Sequence, residues 1–272
     1  MFGRGARSRR GGDLPILTYH SLDESGSVIS VSPGVFAEQM RFLHEAGIST
    51  ISLPAAAEAL RGWRAPARAV VLTFDDGFEN FYEQAYPVLR RYGLTATIFL
   101  VTDYCGKDNF WPGQPAHVAR RPLLSWAQVK EMSEAGMSFG AHSRTHPDLT
   151  RLSSGDAEWE IAASKRAIEQ ILDRPVESFA YPYGAYDEPV KRLTAAHFPL
   201  ACSTTLDFVT PGSDLLALER LDMYYLRNPR HFQRLLSGDA RTYIRLRRLA
   251  RKARAVLVSR FDRRPGPMGS GA

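Results

Sequence analysis

The chain has 272 residues, 44% hydrophobic and 24% charged, enough for one α/β domain of barrel size or two small domains. Its formal charge of +6 resembles that of a nucleic-acid binder, but residues 239–272 hold ten basic side chains against two acidic ones. That stretch therefore carries +8 and leaves −2 for the rest, so the charge offers no ground for nucleic acid as a partner. Cys105 and Cys202 are too few for a disulfide framework and lack the paired spacing of structural zinc; no apolar run reaches the ~20 residues of a membrane span.

Residues 1–13, rich in Arg and Gly, read as a flexible basic N-terminus. No apolar segment of signal-peptide length follows, which predicts a soluble or peripheral cytoplasmic protein. Residues 15–20 (PILTYH) form a short buried strand with His20 at its far end. Phe36, Met40 and Leu43 before Gly47 have the spacing of an amphipathic helix with a glycine stop, residues 48–53 form a second strand closed by Pro54, and residues 55–60 a short alanine-rich helix. Residues 69–74 are an apolar, β-branched strand that runs into Asp75, Asp76 and Gly77.

The next helix presents Phe81, Ala85, Val88 and Leu89 on one side and closes at Gly93; residues 95–101 form another apolar strand. Residues 102–122 show no periodicity, and within them Trp111 and Phe110 are candidates for the floor of a sugar site. Ser125 caps a helix that ends at Gly136, and residues 137–142 are a strand finishing on His142. A helix over residues 154–172 is expected to bury Trp159, Ala163, Ala167 and Ile171. Strands over 178–181, 200–204 and 218–223, with a helix over 188–196, complete the body. Strand and helix alternate throughout, which predicts parallel strands with crossover helices, and about seven such units predict a barrel rather than an open sheet.

In parallel α/β barrels the reactive groups come from strand ends. His20, Asp75 with Asp76, His142 with His146, and Tyr181 to Gly184 all stand at that position. Adjacent carboxylates repel, so a pair at a strand mouth gives one to a cation and leaves the other to move protons, although Asp is also a favoured cap for a helix starting near Glu79. His142 and His146 are four residues apart, a spacing that aims two imidazoles at one point, and Pro147 favours a turn over a continuing helix there. Two imidazoles and one carboxylate make an open, catalytic type of divalent-metal site; zinc is expected, with nickel, cobalt or iron suited to the same ligands.

Thr73-Phe74-Asp75-Asp76-Gly77 and His142-Ser143-Arg144-Thr145-His146 resemble, in order and spacing, the first two motifs of the polysaccharide deacetylases, the NodB-homology group of carbohydrate esterases. The resemblance spans residues 14–236 and implies a distorted (β/α) barrel with about seven parallel strands. It also implies a divalent metal on Asp76, His142 and His146, Asp75 as general base, and hydrolysis of an N-acetyl group from an amino sugar. Phe179-Ala180-Tyr181-Pro182-Tyr183-Gly184 is similar to the third motif, which suggests Tyr181 and Tyr183 as substrate contacts and the Tyr183 N–H as oxyanion donor.

Two departures stand out. The family often has an arginine where Ala180 stands, for which Arg220 is the replacement at hand, and the late Leu-Xaa-His is replaced by Leu218-Glu219-Arg220. Members that act on poly-N-acetylglucosamine carry a Tyr-His near the domain start, similar to Tyr19-His20, which makes His20 the candidate general acid. His44, His117, His197 and His231 have no such partners and are expected to be structural or exposed.

The chain thus divides into residues 1–13, a deacetylase barrel over 14–237 and a basic tail over 238–272. Within the tail, Ile244, Leu249, Ala253, Val256 and Leu257 among arginines have the pattern of an amphipathic helix, either solvated or lying on an anionic inner-membrane face near a glycan or lipid-linked sugar substrate. A glycosidase would need its two carboxylates across a cleft, where adjacent aspartates are poorly placed. The remaining rivals are a metal-free carbohydrate-binding pseudoenzyme and a related amide hydrolase, a deformylase or cyclic amidase.

Overall fold

The structure, a computed structural model, describes residues 13–61, 68–114, 118–237 and 240–262. The basic N-terminus up to residue 12, His117 and the last ten residues lie outside the described residues. In chain order the strands are β1 (Ile16–Tyr19), β2 (Ser21–Leu22), β3 (Ser30–Val31), β4 (Ser49–Thr50), β5 (Ala69–Phe74), β6 (Thr97–Leu100), β7 (Ser138–Ala141), β8 (Ser178–Ala180), β9 (Leu200–Leu206) and β10 (Leu218–Asp222). The α-helices are α1 (Pro33–Glu45), α2 (Leu53–Arg61), α3 (Tyr86–Tyr92), α4 (Trp126–Glu134), α5 (Ser154–Leu172), α6 (Glu188–His197), α7 (Pro229–Ser237) and α8 (Arg241–Asp262).

Among the described residues, seven parallel strands close a barrel in the order β1-β10-β9-β8-β7-β6-β5, and β5 returns to β1 through Ile16 opposite Val71 and Thr18 opposite Thr73. The distorted (β/α) barrel expected from the motifs is the fold. Successive strand residues point to opposite faces. On β5, Val70, Leu72 and Phe74 join the layer between barrel and helices, while Ala69 and Val71 pack inside the barrel with Ile16, Phe99, Ala180, Cys202 and Leu218. The same alternation carries Thr73 and then Asp75 inward at the end where the strands finish. Leu53, Ala56 and Ala57 of α2 belong to the interior cluster and close the opposite end.

Local chemistry sets most helix starts. Ser32 accepts from the Val35 N–H at 3.3 Å with Pro33 opening α1, Ser125 and Gln128 cap each other at the start of α4, and Asp187 accepts from the Val190 N–H at 2.9 Å. Ahead of α3 the chain makes a wide π-type turn over Phe81–Ala85.

Two expectations are corrected. The strand over 48–53 is only Ser49–Thr50, paired with the start of β5, because Ser52 accepts from the Ala55 N–H and Pro54 suits a first helical turn, so helix begins at Leu53. On α5 the buried face runs through Ala157, Glu160, Ile161, Ser164 and Ile168, not through Trp159 and Ile171. Trp159 is 54% exposed, with the Arg144 and Arg166 guanidinium groups each 5.4 Å from its ring. In the tail, α8 docks on the body, and the side chains of Val256 and Leu257 lie outside the described residues. Ala240 and Ile244 enter the main core and Arg248 pairs with Asp207, whereas Leu249, 62% exposed, and Leu246 point away from the body. No helix among the described residues is long and apolar enough to cross a membrane. Cys105 and Cys202 are both free, and burial pushes each thiol up to about 12.

Candidate active site

Among the described residues, four of the five non-glycine residues with positive φ, Asp76 (70°), Ser143 (62°), His146 (61°) and Tyr183 (58°), lie in the turns that follow β5, β7 and β8. Such backbone is costly for residues with a Cβ and collects where side chains must be aimed. After β5 the chain takes two left-handed steps, at Asp76 and at Gly77 (φ 71°); a Cβ on Gly77 would meet Leu100 Cδ2 at 2.9 Å. This reversal directs Asp75 and Asp76 to different partners.

Asp75 is buried and its Oδ1 and Oδ2 each accept from Arg220, Nη1 and Nη2 both at 2.7 Å. Arg220 is 2% exposed and fully engaged: its Nε–H donates to the Ser203 carbonyl at 2.9 Å, at the register shift between β9 and β10. Burial opposes ionisation of Asp75, yet the charges of Arg220, His20 and His142 prevail and hold its carboxyl well below the usual range. His20 Nε2 stands 3.8 Å from Asp75 Oδ2, and its side chain is partly open to solvent. It sits beside the carboxylate without a hydrogen bond to it.

Asp76 Oδ1 lies 3.5 Å from His142 Nε2 and 3.4 Å from His146 Nε2, and the three side chains offer ligand atoms within 4.8 Å of one another. These separations are too long for good hydrogen bonds and match the edge of a tetrahedron around a cation with bonds of ~2.1 Å. His142 Nδ1 is 2.7 Å from the Ala180 carbonyl, which it can meet only by donating, so in the neutral ring the lone pair falls on Nε2. Burial opposes its protonation, but Asp76 and Asp75 hold its pKa above the ordinary imidazole value, and a cation binding at Nε2 displaces that proton. Burial, then the neighbouring His142, pushes the His146 pKa down to about 3 and keeps that imidazole neutral, the form a metal requires. The donor set fits a divalent cation.

The segment between the two histidines is a turn, as Pro147 requires, and not a helix. Ser143 Oγ accepts from the His146 N–H at 3.0 Å. Glu160 of α5, missed in the sequence, reaches the same turn: its carboxylate accepts from the N–H groups of Arg144 (2.8 Å) and Thr145 (2.9 Å) and from the Thr145 hydroxyl (2.8 Å). A charged residue on a helix packed against the barrel was its only signal. This clamp also explains the rotation of α5, since facing Glu160 to the turn sends Trp159 outward.

Two of the aromatic candidates, Trp111 and Tyr183, flank His146. Trp111 is buried with its ring centre 4.6 Å from that imidazole, and the half-exposed Tyr183 meets it edge-on at 4.5 Å. Tyr183 lies in the turn Pro182–Gly184, where a Cβ on Gly184 would strike Thr204 Oγ1 at 2.1 Å. Tyr181 is fully buried and its hydroxyl donates to the Leu216 carbonyl at 2.9 Å, so it shapes the wall without offering a polar group. Phe110 is exposed and is not among the residues that line the cavity over Asp76; the Arg120 guanidinium lies over its ring. His20, Asp75, Asp76, His142, His146 and Tyr183 line one cavity of about 160 Å³.

A family model described as polysaccharide deacetylase matches residues 63–198. The chain is 30% identical over 210 residues to the Bacillus subtilis protein YxkH, named as a polysaccharide deacetylase, covering 76% of this chain and 70% of that one. It is 28% identical over 205 residues to the poly-β-1,6-N-acetyl-D-glucosamine N-deacetylase of Staphylococcus aureus, covering 71% and 67%. Among solved structures it is similar to the deacetylase PplD of Streptococcus pyogenes in complex with acetate, with 28% identity, a TM-score of 0.69, and 78% and 93% of the two chains covered. A matched model over half its length and a relative aligned over most of both chains agree with the barrel and its cluster of aspartates and histidines: the chain belongs to the polysaccharide deacetylase family.

Proposed function

We propose that the protein is a divalent-metal-dependent hydrolase that removes N-acetyl groups from a glycan or glycolipid containing N-acetylhexosamine. The observation that carries this reading is the convergence of Asp76, His142 and His146 beside a separate, ion-paired carboxylate, Asp75. Asp76, His142 and His146 would hold the cation, which supplies polarisation of the amide carbonyl and a lower pKa for attacking water. Zinc suits this ligand set, and cobalt or nickel would also be accepted.

The chain's own residues divide the remaining work. Asp75, ionised and fixed by Arg220, takes the proton from water as it attacks the carbonyl carbon. The Tyr183 N–H donates to the oxyanion of the tetrahedral intermediate, and Trp111 and Tyr183 enclose the acyl group against His146. His20, on the open side of Asp75, gives a proton to the leaving amine. The named activity of the Staphylococcus aureus relative favours β-1,6-linked N-acetylglucosamine as the first substrate to try.

Acetate release from a panel of N-acetylated glycans, before and after chelator treatment, tests the reading. Activity that vanishes with chelator and returns with zinc, cobalt or nickel is expected. Formate release or ring opening in its place would move the chain to another amide hydrolysis, and glycan binding without turnover by metal-loaded protein would make it a binding protein.

A second measurement probes the ligand turn. Glu160→Ala removes the acceptor for two part-buried N–H groups and is expected to weaken zinc binding roughly 10- to 100-fold, as loss of a residue that orients ligands does. Zinc competition against a chromogenic chelator reads this directly. Unchanged affinity would show that Ser143 and Pro147 hold the turn without Glu160.

A further inference from the structure

The cavity over Asp76 continues beyond His20. A second space of about 380 Å³ opens on the far side of that imidazole, within the ~300–1,000 Å³ typical of small-molecule sites. His20, Val28, Ile29 and Thr204 line both spaces, so they form one groove with His20 standing at the junction. The new walls are Asp222 at the end of β10, Tyr224 and Tyr225 in the turn Met223–Leu226, and Arg251 of α8. All four lie outside the segment matched by the family model, residues 63–198.

Their chemistry is balanced in charge. Arg251 Nη1 is 4.0 Å from Asp222 Oδ2, and its guanidinium also lies 5.8 Å from the centre of the Tyr225 ring. The Tyr224 and Tyr225 rings meet edge to face at 5.4 Å, and Tyr224 is backed by Arg227 at 4.2 Å. An anion would gain from Arg251 but face Asp222, and the other charge on the wall, Arg220, is already consumed by Asp75. A guanidinium donor beside a carboxylate acceptor suits the vicinal hydroxyls of a neutral sugar, and half-buried tyrosine rings suit its apolar face.

We propose that this cavity is a second sugar subsite, in which Arg251 and Asp222 bind the hydroxyls, and Tyr224 and Tyr225 the ring, of the unit next to the one being deacetylated. This rests on the glycan reading above. It assigns the C-terminal helix a role in choosing chains over single sugars, because α8 brings Arg251 to the groove while Arg248, 3 residues earlier, pins the helix to Asp207.

The test compares N-acetylglucosamine with its β-1,6-linked dimer and pentamer in calorimetric binding to the metal-loaded chain and in acetate release, with 4-nitrophenyl acetate as a probe that needs only the Asp76 site. Wild-type protein is expected to bind the dimer at least ~10-fold more tightly than the monomer, the gain of one or two well-placed hydrogen bonds. Arg251→Ala and Tyr224→Ala are expected to erase that gain, raising KM for dimer and pentamer while kcat and 4-nitrophenyl acetate turnover stay unchanged. Arg248→Ala, which frees α8 from Asp207 and so loosens the hold on Arg251, is expected to reduce the gain while leaving 4-nitrophenyl acetate turnover unchanged. Equal affinity of wild-type protein for monomer and dimer would overturn the proposal, as would a gain that survives in both Arg251→Ala and Tyr224→Ala. Dimer-selective binding without acetate release would uphold the subsite and reject the hydrolase reading instead.

Discussion

Asp75→Asn is expected to lower acetate release about 10²- to 10⁴-fold while zinc content, measured by mass spectrometry, stays at the wild-type level. The side chain keeps its shape and place on the inward face at the end of β5, but an amide cannot take the proton from attacking water. Asp76→Ala is expected to lose zinc and activity together, because Asp76 Oδ1 is the carboxylate oxygen 3.4–3.5 Å from both Nε2 atoms. The contrast between adjacent residues is the informative result. Equal zinc loss in both variants would place Asp75 among the ligands and leave the reaction without the base proposed here.

Arg220→Met is expected to destabilise the fold by about 3–5 kcal/mol, read by urea denaturation, and to remove activity as well. Methionine fills a similar volume but leaves the Asp75 carboxylate buried and without the guanidinium that holds both its oxygens. Breaking one half of a buried pair costs far more than the pair contributes, since taking two charges out of water offsets most of their attraction. The double variant Asp75→Leu with Arg220→Met is therefore expected to recover most of the lost stability and none of the activity. Failure of the double variant to recover would mean that Arg220 acts mainly through the Ser203 carbonyl at the irregular join of β9 and β10.

The placement of α8 has a different origin from that of the barrel helices. Most of those are amphipathic toward the core, whereas α8 is held by Ile244 and by arginines facing Asp207 and Asp222, leaving Leu246 and Leu249 in solvent. Helical periodicity reports which side chains share a face but not which face meets the body, and here charge partners on β10 and beyond β9 decided it.

By itself the sequence determined the alternation of strands and helices, the parallel barrel that follows from it, and the strand ends where Asp75, Asp76, His142 and His146 stand. Those features are local: two-residue periodicity, caps such as Ser125, and short motifs whose members are at most four residues apart. What only the tertiary structure decided depends on elements far apart in the chain. Barrel closure sets β1 between β5 and β10 and brings Arg220 across to Asp75, 145 positions away. The docking of α5 turns Glu160 rather than Trp159 inward, because backbone N–H groups in the His142–His146 turn need an acceptor that the turn itself cannot supply. A short motif can name the ligands of a cation, but the groups that aim them and hold their charges are chosen by whichever distant surface folding brings alongside.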